Sequence, residues 1–242
     1  MVRQKKVINF AVANKNFGSL AQLNRASDYG SEGYRFESCR SHFKDCFFIE
    51  TVFFYFPTNF KTMIIETERL ILRHWQESDA EELFKYASDP DVGPIAGWNP
   101  HKSVEESRDI ISTVFSAPET YAVVLKSTGK PVGCCGIMTV DSLHSNEMQQ
   151  AEAEIGYWIG KPYWGLGLIP EAVKALLNRC FNELDIKTLW CGHYDGNSKS
   201  KRVIEKSGFQ FDHTKENIQS PLGDIRTEHI YKLTSDQFKH RI

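Results

Sequence analysis

The residues best suited to chemistry lie in the run Tyr163-Trp164-Gly165-Leu166-Gly167-Leu168-Ile169-Pro170-Glu171-Ala172. Two glycines one residue apart let a backbone turn closely around a bulky anion, and the N–H groups of a following helix point toward it. Such an arrangement suits a pyrophosphate. Pro170 fits a first helical turn, where a missing N–H costs nothing, and Glu171 is favourable near the positive end of the helix dipole. A Gly-x-Gly pair by itself more often marks a structural turn. Its flanks argue for more: residues 152–159 have the pattern of a strand leading in, and Val173, Leu176, Leu177, Cys180 and Leu184 form the apolar stripe of a helix leading out.

The elements that must position this turn follow from local signals. Strands are expected over residues 64–73, 121–125, 132–140, 152–159, 187–193, 209–213 and 228–233. Ser78-Asp79-Ala80-Glu81 and Ser103-Val104-Glu105-Glu106 read as capping boxes that open two helices. Ser127-Thr128-Gly129-Lys130 reads as a hairpin turn, and residues 197–206 as a short helix. The resulting order, β-α-α-β-β-β-α-β-α-β-β, is that of an α/β (α+β) domain without internal repeats.

Composition bounds the alternatives. With 242 residues, 41% hydrophobic and 25% charged, the chain has the makeup of a soluble globular protein. A net charge of −2 gives no reason to expect nucleic acid or an anionic membrane as partner. Cys39, Cys46, Cys134, Cys135, Cys180 and Cys191 form no Cys-x-x-Cys pair and sit at no ligand spacing with histidine, so no metal is expected and all six read as free thiols. The densest apolar stretch, residues 46–56, is too short to span a bilayer and contains Glu50. Arg3, Lys5 and Lys6 precede an apolar run that Asn9 interrupts; this falls short of a signal peptide, and cytoplasm is the default location.

A boundary falls near Met63. Ten of the 16 Phe precede it, and all five Trp follow it. Residues 1–62 carry nine basic and five acidic side chains, residues 63–242 carry 20 and 26. Residues 1–62 are therefore read as an N-terminal extension and 63–242 as the folded domain. The aromatic stretch 47–56 reads as a packing or aggregation-prone strand.

Five segments, in order along the chain, resemble the GNAT acetyltransferase superfamily, in particular its RimJ/RimL-like branch of ribosomal-protein N-terminal acetyltransferases. They are Glu66-Thr67-Glu68-Arg69-Leu70-Ile71-Leu72-Arg73, Asp89-Pro90-Asp91-Val92, Ala153-Glu154-Ile155-Gly156-Tyr157-Trp158-Ile159, Tyr163-Trp164-Gly165-Leu166-Gly167, and Asn197-Ser198-Lys199-Ser200 ahead of Glu205-Lys206-Ser207-Gly208-Phe209. The resemblance implies a GNAT fold: a mixed, twisted six- to seven-stranded sheet flanked by helices. Its central parallel strands, matched to residues 152–159 and 187–193, would splay apart around acetyl-CoA as cosubstrate. The pantetheine arm is then expected along the backbone near Trp158 and Ile159, with Asn197 on its amide. The pyrophosphate is expected on N–H groups of Trp164, Gly165, Leu166, Gly167 and Leu168. Family members usually begin just before the Glu-Thr-Glu-Arg-Leu segment, so Met63 resembles a native start and residues 1–62 an upstream or appended segment. Two positions depart from the pattern. Pro162 stands where Gln or Arg is frequent, and Ile204 stands where many members carry a tyrosine acid in the short helix. Ser200 is the matching alternative in the RimL-like branch.

Attack on a thioester needs a neutral amine, so a base must take the amine's proton. Glu154 is the first candidate, on the strand that would present the thioester; its bland alternative is a strand glutamate in a surface ion pair. Glu152 shares its side of the strand. His193 could serve as base or hold the acceptor, and is otherwise a structural histidine. Ser200 is the candidate acid, against a helix-start serine, a role Ser198 could fill equally; Tyr231 could donate to the thiolate or simply pack. Trp98, in the Gly- and Pro-rich segment 89–101, and Tyr194, at the carboxyl end of its strand, are candidate acceptor contacts. The expected function is direct, metal-free acetyl transfer to the α-amine of a protein or peptide. A small amine (polyamine, amino acid or aminoglycoside) is the rival acceptor, which acidic lining from Glu216, Asp224 and Glu228 would favour. A non-catalytic acyl-CoA-binding module is the rival of another class, and a homodimer is the family habit.

Overall fold

Residues 63–139 and 151–240 are described in the computed structural model of the chain. The expectations for residues 1–62, including the boundary's upstream side, Cys39, Cys46 and the strand at 47–56, lie outside the described residues.

The segment 64–73, read above as one strand, turns back on itself. It forms β1 (Ile65–Glu66) and β2 (Leu70–Arg73), paired antiparallel with Ile65 opposite Leu72. The Thr67 N–H donates to the Leu70 carbonyl at 3.0 Å, while the Thr67 hydroxyl accepts from the Leu70 N–H at 3.0 Å, which closes the turn. This split raises the sheet to eight strands rather than six or seven. The others are β3 (Thr120–Leu125), β4 (Lys130–Thr139), β5 (Glu152–Ile159), β6 (Thr188–Tyr194), β7 (Gln210–Gln219) and β8 (Ile225–Thr234). Their spatial order is β1-β2-β3-β4-β5-β6-β8-β7, so the last strand in the chain enters between β6 and β7. Among the described residues only β5 and β6 pair in parallel, and the other pairs are antiparallel. A parallel pair needs a long crossover, and helix α3 (Leu168–Asn178), numbered among the helices that follow, supplies it.

The remaining helices are α1 (Ala80–Ala87), α2 (Val104–Thr113), α4 (Ser198–Lys206) and α5 (Ser235–Lys239). The predicted stripe of α3 is buried at Ala172, Val173, Leu176 and Leu177, and packs with Leu70, Leu72, Ile155 and Leu189 of the sheet in one core. The Ser103 cap forms: its Oγ accepts from the Glu106 N–H at 3.2 Å, and the Glu106 carboxylate accepts from the Lys102 N–H at 2.7 Å. The Ser78 box does not. Asp79 takes its place, accepting from the Gln76 N–H at 2.9 Å and from the two Arg73 guanidinium nitrogens at 2.7 and 2.9 Å. This carboxylate ties the start of α1 to the end of β2. β7, at the sheet edge, is broken by irregular register between Phe211 and His213 and between Lys215 and Ile218, and carries Asp212, Lys215 and Glu216. Bulges and charges of this kind keep an edge from pairing with another chain.

Removing Arg73 would leave the 8%-exposed Asp79 carboxylate without its main partner. Arg73→Ala is expected to lower unfolding free energy by about 3 kcal/mol, read as a shifted urea midpoint with unchanged slope.

Candidate active site

The pairing of β5 with β6 is short. It comprises Glu152 with Thr188, Ala153 with Leu189 and Glu154 with Trp190, after which the strands part. The gap is a cavity lined by Gly156, Tyr157 and Trp158 from β5 and by Gly192, His193 and Tyr194 from β6, with Trp98, Asn197 and Ser200 at its sides. A larger cleft leads from it to the Gly-x-Gly turn, lined by Trp164, Gly165, Gly167 and Leu168 and, from α4, by Lys199, Arg202 and Lys206.

At the turn, Gly165 and Gly167 have φ of 78° and 76°, a left-handed backbone that side chains resist. The cradle is narrower than expected, because the Trp164 N–H is committed to the Lys161 carbonyl at 3.2 Å. The N–H groups of Gly165, Leu166, Gly167 and Leu168 meet no backbone acceptor among the described residues. Arg69 anchors the turn from β2's leading loop. Its Nε lies 2.7 Å from Glu171, and its Nη1 donates to the Leu166 carbonyl at 2.9 Å. Burial works to raise the Glu171 carboxyl, but hydrogen bonds from Thr67 and Arg69 prevail and hold it below the usual range. Glu171 is thus a clamp on the turn, beyond the dipole role its position suggested.

Strand parity sorts the candidate residues onto two faces. Glu154 shares a face with Trp190 and hence with Gly192 and Tyr194; through the β6–β8 register this face continues to Glu228 and Ile230. Glu154 is 6% exposed, and its Oε1 is buried without a hydrogen-bond partner among the described residues. It is no surface ion-pair glutamate. Burial, then the nearby Glu228, push its carboxyl well above the usual range, with Lys215 opposing. Glu228 is itself buried, its Oε1 2.8 Å from where a Cβ on residue 192 would stand, so only glycine leaves room there. Glu152 is half-buried and accepts from the Trp190 indole at 3.4 Å. Of the other acids expected in the acceptor lining, Asp224 is tied to Arg226 at 2.8 Å and Glu216 is exposed.

Trp98 is buried edge-on against Trp158 at 5.7 Å between centroids, and Tyr194 lies beneath the Arg226 guanidinium at 4.9 Å. His193 is not brought together with Glu154. It falls on the parity of Leu189 and Cys191, the opposite face, with Nδ1 2.9 Å from the Tyr194 carbonyl and Nε2 3.5 Å from the Tyr231 hydroxyl. Burial there lowers its pKa from the ordinary value. Asn197 caps α4: its Oδ1 accepts from the Ser200 N–H at 3.1 Å, which takes the role considered for Ser198 and Ser200 and leaves the Asn197 amide NH2 for the cleft. The Ile159 carbonyl, expected beside the pantetheine, already accepts from the Trp164 indole at 2.9 Å. The Ser200 hydroxyl meets Tyr157, whose phenol oxygen is 3.0 Å away.

Residues 69–210 match the family described as the acetyltransferase (GNAT) domain. The chain belongs to the GNAT acetyltransferase family. As a GNAT acetyltransferase it is an acyltransferase enzyme. It is 26% identical over 177 residues to the uncharacterized N-acetyltransferase p20 of Bacillus licheniformis, covering 71% of this chain and 96% of p20. It is 39% identical over 75 residues to the "Putative ribosomal N-acetyltransferase YdaF" of Bacillus subtilis, covering 31% of this chain and 39% of YdaF. The crystal structure of a GNAT-family acetyltransferase from Bacillus anthracis superimposes with a TM-score of 0.63 at 23% identity, covering 72% of this chain and 99% of that one; this likeness speaks for the fold. Sequence reasoning missed Arg69, Tyr157 and the basic side of α4 as site residues in this GNAT enzyme. The signals were there: the parity of Tyr157 with Ile155, and Lys199, Arg202 and Lys206 on the helix facing the turn.

Two outcomes follow. Arg69→Ala frees the turn and Glu171, and should weaken acetyl-CoA binding about tenfold by loss of charge-assisted bonds, measured by calorimetric titration. The raised Glu154 carboxyl means that, above the ordinary carboxyl range and below its native value, the folded protein holds one more proton than the unfolded chain. Stability therefore falls as pH rises through that window. Glu154→Gln should melt above wild type at pH 8 and level with it at pH 4; equal differences at both would remove the raised carboxyl.

Proposed function

We propose that this acetyltransferase passes the acetyl group of acetyl-CoA directly to the α-amine of a protein or peptide, in the manner of the RimJ/RimL-like branch. One observation carries the reading: β5 and β6 part immediately after Glu154, a buried carboxylate, and the gap they leave opens through a larger cleft onto the Gly-x-Gly turn. The N–H groups of Gly165 to Leu168 would take the pyrophosphate, and Lys199, Arg202 and Lys206 add positive charge along the same cleft. The pantetheine then lies between the strands, where β5 loses its parallel partner. Glu154, raised by burial and Glu228, is a better proton acceptor than an ordinary carboxylate and would deprotonate the incoming amine, through a water if needed. The amine nitrogen bonds to the acetyl carbon, the carbonyl oxygen gathers charge against backbone N–H groups of β5, and collapse expels the sulfur beside Ser200.

The acceptor mouth offers little to hold a polycation. Ile95, Tyr194, Asp195, Arg226 and Thr227 line it, so its two charges are of opposite sign and form no concentrated acidic surface for a polyamine or aminoglycoside. Glu228, the one buried acid of the three considered there, sits beside Glu154 rather than forming a separate cation site. The match to YdaF supports the same acceptor class. A cytoplasmic setting completes the proposal, in keeping with free, buried Cys134, Cys135, Cys180 and Cys191.

The deciding experiment measures CoA release from acetyl-CoA with a pool of free-N-terminus peptides, run against a polyamine and aminoglycoside pool and scored by acetylated mass. Labelled peptide α-amines are expected; labelled small amines with untouched peptides would overturn the acceptor class. Glu154→Gln should cut turnover by about 10²–10⁴-fold while acetyl-CoA affinity stays at the wild-type value. A protein with no turnover to lose would instead be an acyl-CoA-binding module.

A further inference from the structure

The short helix α4 offers no tyrosine to the cleft, since Ile204 stands at the matching position and is 1% exposed in the core. A phenol nevertheless reaches α4 from another element. Tyr157 leaves β5 on the face opposite Glu154, and its hydroxyl lies 3.0 Å from Ser200 Oγ and 3.2 Å from the Ser200 carbonyl. These two side chains line both the gap between the strands and the cleft that leads to the Gly-x-Gly turn. The hydroxyl pair therefore stands at the junction, where the sulfur of a bound thioester would lie. A lone serine hydroxyl rotates freely and has no preferred direction for its proton. The Ser200 carbonyl can only accept, so the phenol proton is directed at Ser200 and is shared between its carbonyl and its Oγ; the serine's own O–H is then left to point into the cleft.

We propose that Tyr157 is a positioning residue: it donates to Ser200 and so aims the Ser200 hydroxyl at the departing sulfur of CoA. The inference rests on the reading of Ser200 given above. In the step itself the carbon–sulfur bond breaks, sulfur leaves with the electron pair, and the Ser200 O–H hydrogen-bonds the resulting thiolate. The proton that the amine gave to Glu154 balances the one the thiolate gains on release as CoA–SH. Tyr157 keeps its proton throughout. Burial holds its phenol well above the ordinary value, with the neighbouring Cys191 acting the same way and Ser200 opposing. A proton relay through a buried phenolate is thereby disfavoured, and a fixed donor is favoured.

The test compares CoA with desulfo-CoA by calorimetric titration of the full-length protein at pH 7 and pH 9.5. The thiol of free CoA titrates between these values like an ordinary thiol. The titratable groups facing the pair leave the window clear: burial lowers His193 from its ordinary value, and burial raises Cys191. Lys199 and Arg202, on α4, face the cleft alike in every variant. In the wild type the preference for CoA over desulfo-CoA should grow about tenfold at pH 9.5, the effect of one hydrogen bond to a charged group. Tyr157→Phe and Ser200→Ala should each abolish that growth, and the double variant should do no more than either alone. Desulfo-CoA affinity should hold in all, which a merely structural role would not allow. If Ser200→Ala loses the preference and Tyr157→Phe keeps it, the positioning role is overturned while Ser200 stands. If neither variant changes it, the Ser200 reading falls and the inference with it. Failure of the wild type to bind either ligand would sink the acetyl-CoA reading itself.

Discussion

Everything at the site depends on a pairing that stops early. Parallel strands satisfy each other's backbone only while they stay side by side, and β5 and β6 do so for three residue pairs. Past Glu154 and Trp190 each strand carries unpaired peptide groups in the middle of a sheet rather than at its rim. Such groups need a partner, and a chain of amides such as pantetheine can supply one. The antiparallel neighbours on the outer sides, β4 and β8, stay paired with the two strands along the gap and set its walls.

Sheet parity then divides the labour. One face collects carboxylates: Glu154 and Glu228, with Gly192 leaving the space between them. The other collects hydroxyls: Tyr157 from the strand and Ser200 from the helix it packs against. The carboxylates and the hydroxyls are thereby kept on opposite sides of one strand, three residues apart at Glu154 and Tyr157. The same alternation sets His193 apart from Glu154 and on the side of Tyr157, with its Nδ1 2.9 Å from the Tyr194 carbonyl.

Much of this was legible in the sequence, and the reasons are local. The Gly-x-Gly turn, the stripe on α3 and the cap at Ser103 are written in residues that are neighbours along the chain. So is Asn197, whose side-chain oxygen caps α4 and whose amide NH2 is left for the cleft. What could not be read is where distant segments meet. Arg69 and Glu171 stand a hundred residues apart in the chain, and only the fold shows that one clamps the other. The turn at Thr67 was hidden because the polar run Glu66 to Arg69 between Ile64-Ile65 and Leu70-Ile71-Leu72 contains no glycine, proline or asparagine to mark it. The cap falls to Asp79 rather than Ser78 in a structure where Arg73, on a different element, holds the Asp79 carboxylate against the Gln76 N–H.

The insertion of β8 between β6 and β7 bears on how the molecule is made. Having parted from β5, β6 has one continuous neighbour, and that neighbour is the last strand in the chain order. A growing polypeptide that has emerged through α4 therefore holds the turn, Glu154 and Ser200 but not the wall that fixes β6 against them. Residues 225–234 complete that wall, so a chain cut short before them loses its centre rather than its tail.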